Sequence, residues 1–168
     1  MEKLQVIGAK KLKGIIKISG SKNASLPILA ASLLSNKKIQ IQNLPWVKDI
    51  KTMILLLSSM GSKIKVNKKN KSIKIDNSKN IKSFASYNLV KTMRAGILVL
   101  GPLLARFRKA KVSLPGGCAI GARPVDIHLK ALSKLGVKYK VEDGYIYAKA
   151  QKGLIGNVIK FPKISVGA

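Results

Sequence analysis

The stretch Leu57-Ser58-Ser59-Met60-Gly61-Ser62-Lys63-Ile64-Lys65-Val66 has an echo later in the chain, Ala131-Leu132-Ser133-Lys134-Leu135-Gly136-Val137-Lys138-Tyr139-Lys140-Val141. In each, an apolar helical tail runs into a glycine and then into a segment where lysine alternates with apolar or aromatic residues. Glycine accepts the left-handed conformation that ends a helix, and period-two lysine marks a strand with one wet face. Working outward, Ile50, Met53, Ile54 and Leu57 form the stripe of the helix stopped by Gly61, with Asp49 suited to its first turn. Before it, Lys38 to Gln42 alternates as a strand up to Pro45. Earlier still, Leu26, Leu29, Ala30, Leu33 and Leu34 predict a helix behind a strand at Gly14 to Ser19. After it, Lys63–Asn67 and Ser72–Asp76 flank a Lys68-Lys69-Asn70 turn and read as a hairpin.

The second half replays the order. Leu89, Met93, Ile97, Leu100 and Leu104 predict one long helix that Pro102 should kink, followed by a strand at Ala110 to Leu114. Pro124 suits the first turn of the next helix, whose stripe is Ile127, Ala131, Leu132 and Leu135, and Gly136 ends it. Val137–Val141 and Tyr145–Lys149, joined through Glu142-Asp143-Gly144, make a second hairpin. Helix, strand, helix, strand, strand thus occurs twice, in units near 21–77 and 88–150, with helices expected inside and lysine-faced sheets outside. A third unit is expected to begin at Gly156 to Phe161, so the chain reads as an incomplete domain.

Length and composition set the class. The 168 residues are 46% hydrophobic, which excludes a disordered or fibrous chain. The longest apolar run, Ala95 to Ala105, is broken by Gly96, Gly101 and Pro102 and is too short for a membrane span. One cysteine and no signal-like start predict a soluble, reduced, cytoplasmic protein with no membrane partner. The 33 basic residues against 6 acidic ones, a formal charge of +27, invite nucleic acid. Yet only Arg94, Arg106, Arg108 and Arg123 are arginine, the lysines alternate along strands, and the aromatic residues are scattered. Nonspecific nucleic-acid binding is therefore disfavoured, but stays open as an alternative.

Three places carry candidate chemistry. Gly20-Ser21-Lys22-Asn23 joins a strand to a helix start, where free N–H groups attract anions; a Ser-capped helix with a solvated lysine explains it equally. It is not a phosphate loop, since the glycine and lysine spacing fails. Leu114-Pro115-Gly116-Gly117-Cys118-Ala119-Ile120-Gly121-Ala122-Arg123-Pro124-Val125-Asp126 holds the only thiol in a glycine-rich loop. Arg123 could favour a thiolate there, while a buried inert cysteine is the plain reading. Arg94 interrupts an apolar segment after Lys91 and either snorkels or faces an anion. His128 has no partner at metal spacing and is expected to pack rather than ligate.

These motifs, with Leu89-Val90-Lys91-Thr92-Met93-Arg94-Ala95 and Ser165-Val166-Gly167-Ala168, resemble the bacterial UDP-N-acetylglucosamine enolpyruvyl transferases, in the family's order, from Ile7 to Ala168. The sister family acting on shikimate 3-phosphate shares the fold but lacks the cysteine loop. The resemblance implies an inside-out α/β barrel of the enolpyruvyl transferase type (α/β, or α+β), built from the repeated unit and incomplete here. It implies that residues 1–20 are a segment pairing with a second domain and that 21–168 are part of one domain.

The resemblance also implies an activity. It is transfer of the enolpyruvyl group of phosphoenolpyruvate to the 3′-hydroxyl of UDP-N-acetylglucosamine with release of phosphate, the first committed step of peptidoglycan synthesis. No cofactor or metal is implied. Cys118 matches the family's acid, also the target of the epoxide fosfomycin. Lys22 and Asn23 match phosphoenolpyruvate contacts, Arg123 a phosphate-binding arginine, and Lys48 another active-site lysine. Arg94, the run Arg123, Pro124, Val125, Asp126 and Ile127, and the stretch Lys163, Ile164, Ser165 and Val166 match positions holding the UDP-sugar. The family's general base and further arginines lie in the C-terminal half, which this chain does not show. By itself the chain is expected to be inactive, or a non-catalytic UDP-sugar binder.

Overall fold

A computed structural model describes residues 3–8, 11, 13–116 and 125–162. The first set of elements is α1 (Lys22–Ala31) with a 3-10 turn Ser32–Leu34, β1 (Lys38–Ile41), α2 (Lys48–Ser59), β2 (Lys63–Asn67) and β3 (Ser72–Asp76). Then come β4 (Phe84–Ala85), α3 (Tyr87–Val90), a 3-10 segment Arg94–Val99, α4 (Leu100–Phe107), β5 (Lys109–Ser113), α5 (Asp126–Lys134), β6 (Lys138–Glu142) and β7 (Tyr145–Lys149). The two sheets have the orders β1-β3-β2 and β4-β5-β7-β6, so β5-β7-β6 repeats the first sheet and β4 adds a parallel edge. In both, the last strand of the unit lies antiparallel between the other two.

The echo quoted above has a common chemistry. At the end of α2, Ser62 N–H donates to Leu57 O at 3.0 Å and Gly61 N–H to Ser58 O at 2.9 Å, with Gly61 at φ +104. At the end of α5, Val137 N–H donates to Leu132 O at 3.1 Å and Gly136 N–H to Ser133 O at 3.0 Å, with Gly136 at φ +89. This double bond pattern satisfies carbonyls that the helix end would otherwise leave bare. Each stop is followed at once by a hairpin, the second closed by Asp143 and Gly144, both at positive φ as a two-residue turn requires.

The helices form the inside. α1 packs on α2 and on the Arg94–Val99 segment, and α4 packs on the Ser32–Leu34 turn and on β5. Leu29, Leu33, Ile50, Met53, Leu56 and Leu57 from the first half meet Val99, Leu100, Leu103 and Leu104 from the second in one core. Ile73 and Ile75 of β3, and Ile146 of β7, close it from the sheets, while the alternate strand positions turn lysine to solvent. The part-buried Arg106 donates to Leu33 O, Ser35 O and Asn77 O at 3.0, 2.9 and 2.9 Å, tying α4 to the first half. No helix of the described residues is long and apolar enough to cross a membrane.

Several expectations need correction. Gly14 to Ser19 is not a strand: Ile15, Ile16 and Ile18 are exposed, and no neighbouring strand supplies a ladder, without which alternation cannot make one. The long helix of the second half is three pieces. Met93 is extended at φ −147, ψ 109, and the chain restarts as a 3-10 segment before α4. Pro102 kinks nothing, because it is the third residue of α4, in the turn where helix N–H groups lack partners anyway. Leu34 leaves the stripe of α1 and is exposed, and α5 buries Ile127 and Leu129 while Ala131, Leu132 and Leu135 stay half-buried. Residues 153–161 carry no strand or helix; Ile155 N–H and Asn157 Nδ2 simply cap carbonyls at the end of α5. The parallel β4 is two residues long and offers no periodicity to read.

Candidate functional site

The candidate residues that the structure brings together sit where α1 and α2 begin. Ser21 is extended at φ −78, ψ 132 and caps α1, its Oγ accepting from Ala24 N–H at 3.4 Å. Gly20 N–H donates to Asn43 Oδ1 at 3.2 Å, so the turn after β1 and the start of α1 are joined. Lys22 and Asn23 are the first two helical residues. Pro27 lies one turn on and lacks the N–H that would bond Asn23 O, leaving that carbonyl outside the helix ladder. At the other helix, Val47 is extended and Lys48 and Asp49 open α2.

Lys22 Nζ lies 2.9 Å from Asp49 Oδ2, across 27 positions of sequence. Both side chains are over a third exposed, so the pair adds little stability. Its effect is positional: it holds the Lys22 ammonium against Asp49, the second residue of α2. Two helix N-termini, each the positive end of its dipole, therefore meet two lysines and one carboxylate.

The remaining candidates lie farther out or beyond the described residues. Arg94 is exposed at the start of the 3-10 segment that packs on α1, and its guanidinium makes no hydrogen bond among the described residues. Gly116 lies directly against this turn: a Cβ there would sit 2.6 Å from Lys91 O, so only glycine fits. The near end of the cysteine loop is thereby fastened beside the Lys91–Arg94 turn. Val125 and Ile127 are buried at the start of α5, which packs mainly on β6. Asp126 Oδ2 lies 3.7 Å from Lys130 Nζ, while Oδ1 is enclosed with no partner among the described residues, as is His128 Nδ1. Cys118, Arg123 and Pro124, and Lys163, Ile164, Ser165 and Val166, lie outside the described residues. Among the described residues no group of three or more His, Cys, Asp or Glu could hold a metal.

Two residues of this arrangement escape sequence reasoning. Asp49 reads in sequence as a first-turn helix acid, which it is, and nothing local says that it also meets Lys22. Gly116 reads as a loop glycine, and its contact with Lys91 comes from packing alone.

Comparison with known proteins identifies the family. Residues 6–168 match the family model described as EPSP synthase (3-phosphoshikimate 1-carboxyvinyltransferase). A UDP-N-acetylglucosamine 1-carboxyvinyltransferase of Pelagibacter ubique (strain HTCC1062) is 75% identical over all 168 residues, and the chain covers 40% of it. One of the same name from Helicobacter pylori (strain P12) is 55% identical over 166 residues, of which 39% of its length is covered. The chain thus spans about 40% of the length of the curated relatives it matches. Among solved structures, the enolpyruvyl transferase NikO from Streptomyces tendae superposes with a TM-score of 0.69 at 20% identity, over 86% of this chain and 31% of that one. EPSP synthase from Acinetobacter baumannii gives 0.68 at 18%, over 95% and 37%. Both show the fold, and the repeated unit seen here is a portion of it, with no closed barrel among the described residues. A match running through nearly the whole chain leaves no separate origin for either half: this chain belongs to the EPSP synthase family.

Proposed function

We propose that this chain forms part of a site that transfers the enolpyruvyl group of phosphoenolpyruvate to the 3′-hydroxyl of UDP-N-acetylglucosamine, releasing phosphate. The observation that carries the reading is the 75% identity, over all 168 residues, to a relative named for that transfer. It supports the UDP-sugar over shikimate 3-phosphate within the family. The convergence of α1 and α2 supports it: Lys22 and Lys48, at two helix starts, suit the phosphate and carboxylate of phosphoenolpyruvate. In this reading Cys118 protonates the methylene carbon, making the adjacent carbon open to attack by the sugar hydroxyl. Arg123 then holds the departing phosphate, and Asn23 orients the substrate. Arg94, Pro124–Ile127 and Lys163–Val166 hold the UDP-sugar, and the enclosed Asp126 Oδ1 offers an acceptor for it.

The base that receives the sugar hydroxyl's proton, and the wall that excludes water, belong in this reading to the rest of the family's length. Residues 1–20 pair with that part, which the exposed Leu4, Val6, Ile15 and Ile16 support. Residues 21–168 supply units 21–77 and 88–150. Removing a general base costs about 10²- to 10⁴-fold, and loss of closure adds to this. The purified 168-residue chain is expected to release no measurable phosphate from the two substrates. Adding the remaining portion of the Pelagibacter ubique relative as a second polypeptide is expected to restore release, abolished by Cys118→Ala, with fosfomycin adding its mass to the thiol. Turnover by the chain alone would overturn the placement of the base, and no turnover in the mixture of folded pieces would overturn the reading.

A further inference from the structure

We infer that the outer face of the second sheet binds single-stranded nucleic acid, a role separate from enolpyruvyl transfer. Strand register places Lys109, Lys149 and Lys138 side by side across β5, β7 and β6. Strands lie about 4.8 Å apart, and like charges directly opposite destabilise a sheet. The corresponding row of the first sheet is Lys38, Asp76 and Lys63, in which an aspartate separates the lysines. The second sheet therefore keeps an uncompensated triplet that the same topology elsewhere neutralises. An external anion would supply the missing charge.

The next row of that face shows what kind of anion. Phe84, Lys111, Tyr147 and Lys140 are in register across β4, β5, β7 and β6, and Tyr145 lies one row further. Phe84 stacks on Tyr145 with ring centroids 6.0 Å apart, and Tyr145 and Tyr147 are 6.5 Å apart. These aromatic residues are scattered in sequence, and folding alone gathers them beside the lysines. A cleft of about 1180 Å³ runs over both rows; seven lysines and no carboxylate line it. At the far end of this face Glu142 is held by Lys140, and Asp143 lies in the hairpin turn beyond it. A lysine row beside ring faces, about 7 Å apart along the strands, suits a chain with phosphates on one side and stackable bases on the other. Lysine contacts phosphate as a point charge, irrespective of base sequence.

Lys111 at present covers the rings, its Nζ lying 5.6, 4.7 and 4.8 Å from the centroids of Phe84, Tyr145 and Tyr147. A cation over exposed rings is held less strongly than a stacked base. On binding, bases take the rings and the Lys111 ammonium turns to a phosphate, so no charge is lost from the face.

Fluorescence anisotropy of a labelled oligo-dT of about fifteen nucleotides, titrated with the 168-residue chain at several salt concentrations, tests this. Lys109→Gln, Lys138→Gln and Lys149→Gln together are expected to weaken binding at least about tenfold and to reduce the salt slope by about two. Phe84→Leu with Tyr147→Leu, which changes no charge, is expected to weaken binding about tenfold with the slope retained. Lys38→Gln, Lys63→Gln and Lys65→Gln on the first sheet remove the same charge and are expected to change affinity less than about threefold. Equal loss from the two lysine sets, no loss from the ring pair, or equal competition by a duplex would each overturn the proposal. Circular dichroism checks that each variant is folded, and the exposed Lys149→Gln alone must shift affinity in the same direction.

Discussion

The two sheets share one topology and both turn lysine outward, but they differ in one row of charge and in their aromatic residues. At the row where each unit's first and last strands meet, the first sheet alternates Lys38, Asp76 and Lys63, and the second carries Lys109, Lys149 and Lys138. Asp76 is further fixed by Ser78, whose backbone N–H lies 3.0 Å from Oδ1. The first sheet has no aromatic ring in any strand, while the second has four, of which Phe84, Tyr145 and Tyr147 share the outer face. Since hairpins, helix stops and apolar inward positions are shared, the fold does not require either outer face. Topology here is maintained by the buried side and the turns, and the outer side is free to differ.

The strongest way to break the comparison is to separate the two halves. Arg106→Ala removes three charge-assisted bonds and leaves three carbonyls bare, an expected loss of about 3 kcal/mol in urea denaturation. A loss under about 1 kcal/mol would mean that the apolar core alone joins the halves. Next come the two helix stops. Gly61→Ala would set a Cβ 2.4 Å from Asn80 O at a positive φ, whereas Gly136→Ala meets only Ile155 Cδ1 at 3.7 Å. The first is expected to cost about 3 kcal/mol and the second about 1, so equal midpoints for the two variants would contradict the packing described.

Smaller effects test the charged rows directly. Lys149→Asp gives the second sheet the centre of the first and is expected to raise stability by less than about 1 kcal/mol while weakening oligo-dT binding. Asp76→Lys, the reverse exchange, should lower the urea midpoint. The smallest effect is a pH dependence. The Ser78 hydrogen bonds, and after them Lys38 and Lys63, hold the Asp76 carboxyl below its ordinary value of 3.8. A lowered value in the folded state means that the contribution is present above the ordinary value and is lost as pH falls through the folded one. Stability should therefore decline slightly below about pH 4, and Asp76→Asn should flatten that decline; an unchanged slope would show that the row does not act on Asp76.

Much of this was legible beforehand. The helix, strand, helix, hairpin order of the first unit from α1 onward, both hairpins, both helix stops and the start of α1 follow from turn chemistry and periodicity, which are properties of neighbours in sequence. The errors fall where that information stops. Gly14 to Ser19 has a strand's alternation but no strand to pair with, and Leu89 to Leu104 has a helix's stripe but a backbone that breaks at Met93. The candidate site divides in the same way: Lys22 and Lys48 are visible from their place at helix starts, while Asp49 between them is visible only as a capping acid.

The sequence by itself determined both hairpins, the helices α1, α2 and α5, where α2 and α5 end, and that the pattern repeats. Only the tertiary structure decided that Lys22 meets Asp49 across 27 positions, that Arg106 reaches Leu33 across 73, and that Phe84 and Tyr145 stack. The physical reason is range. Periodicity, capping and turn conformation are set within a few bonds, whereas contacts between distant residues exist only after helix packing has fixed how the two sheets face, and no local energy term encodes that arrangement.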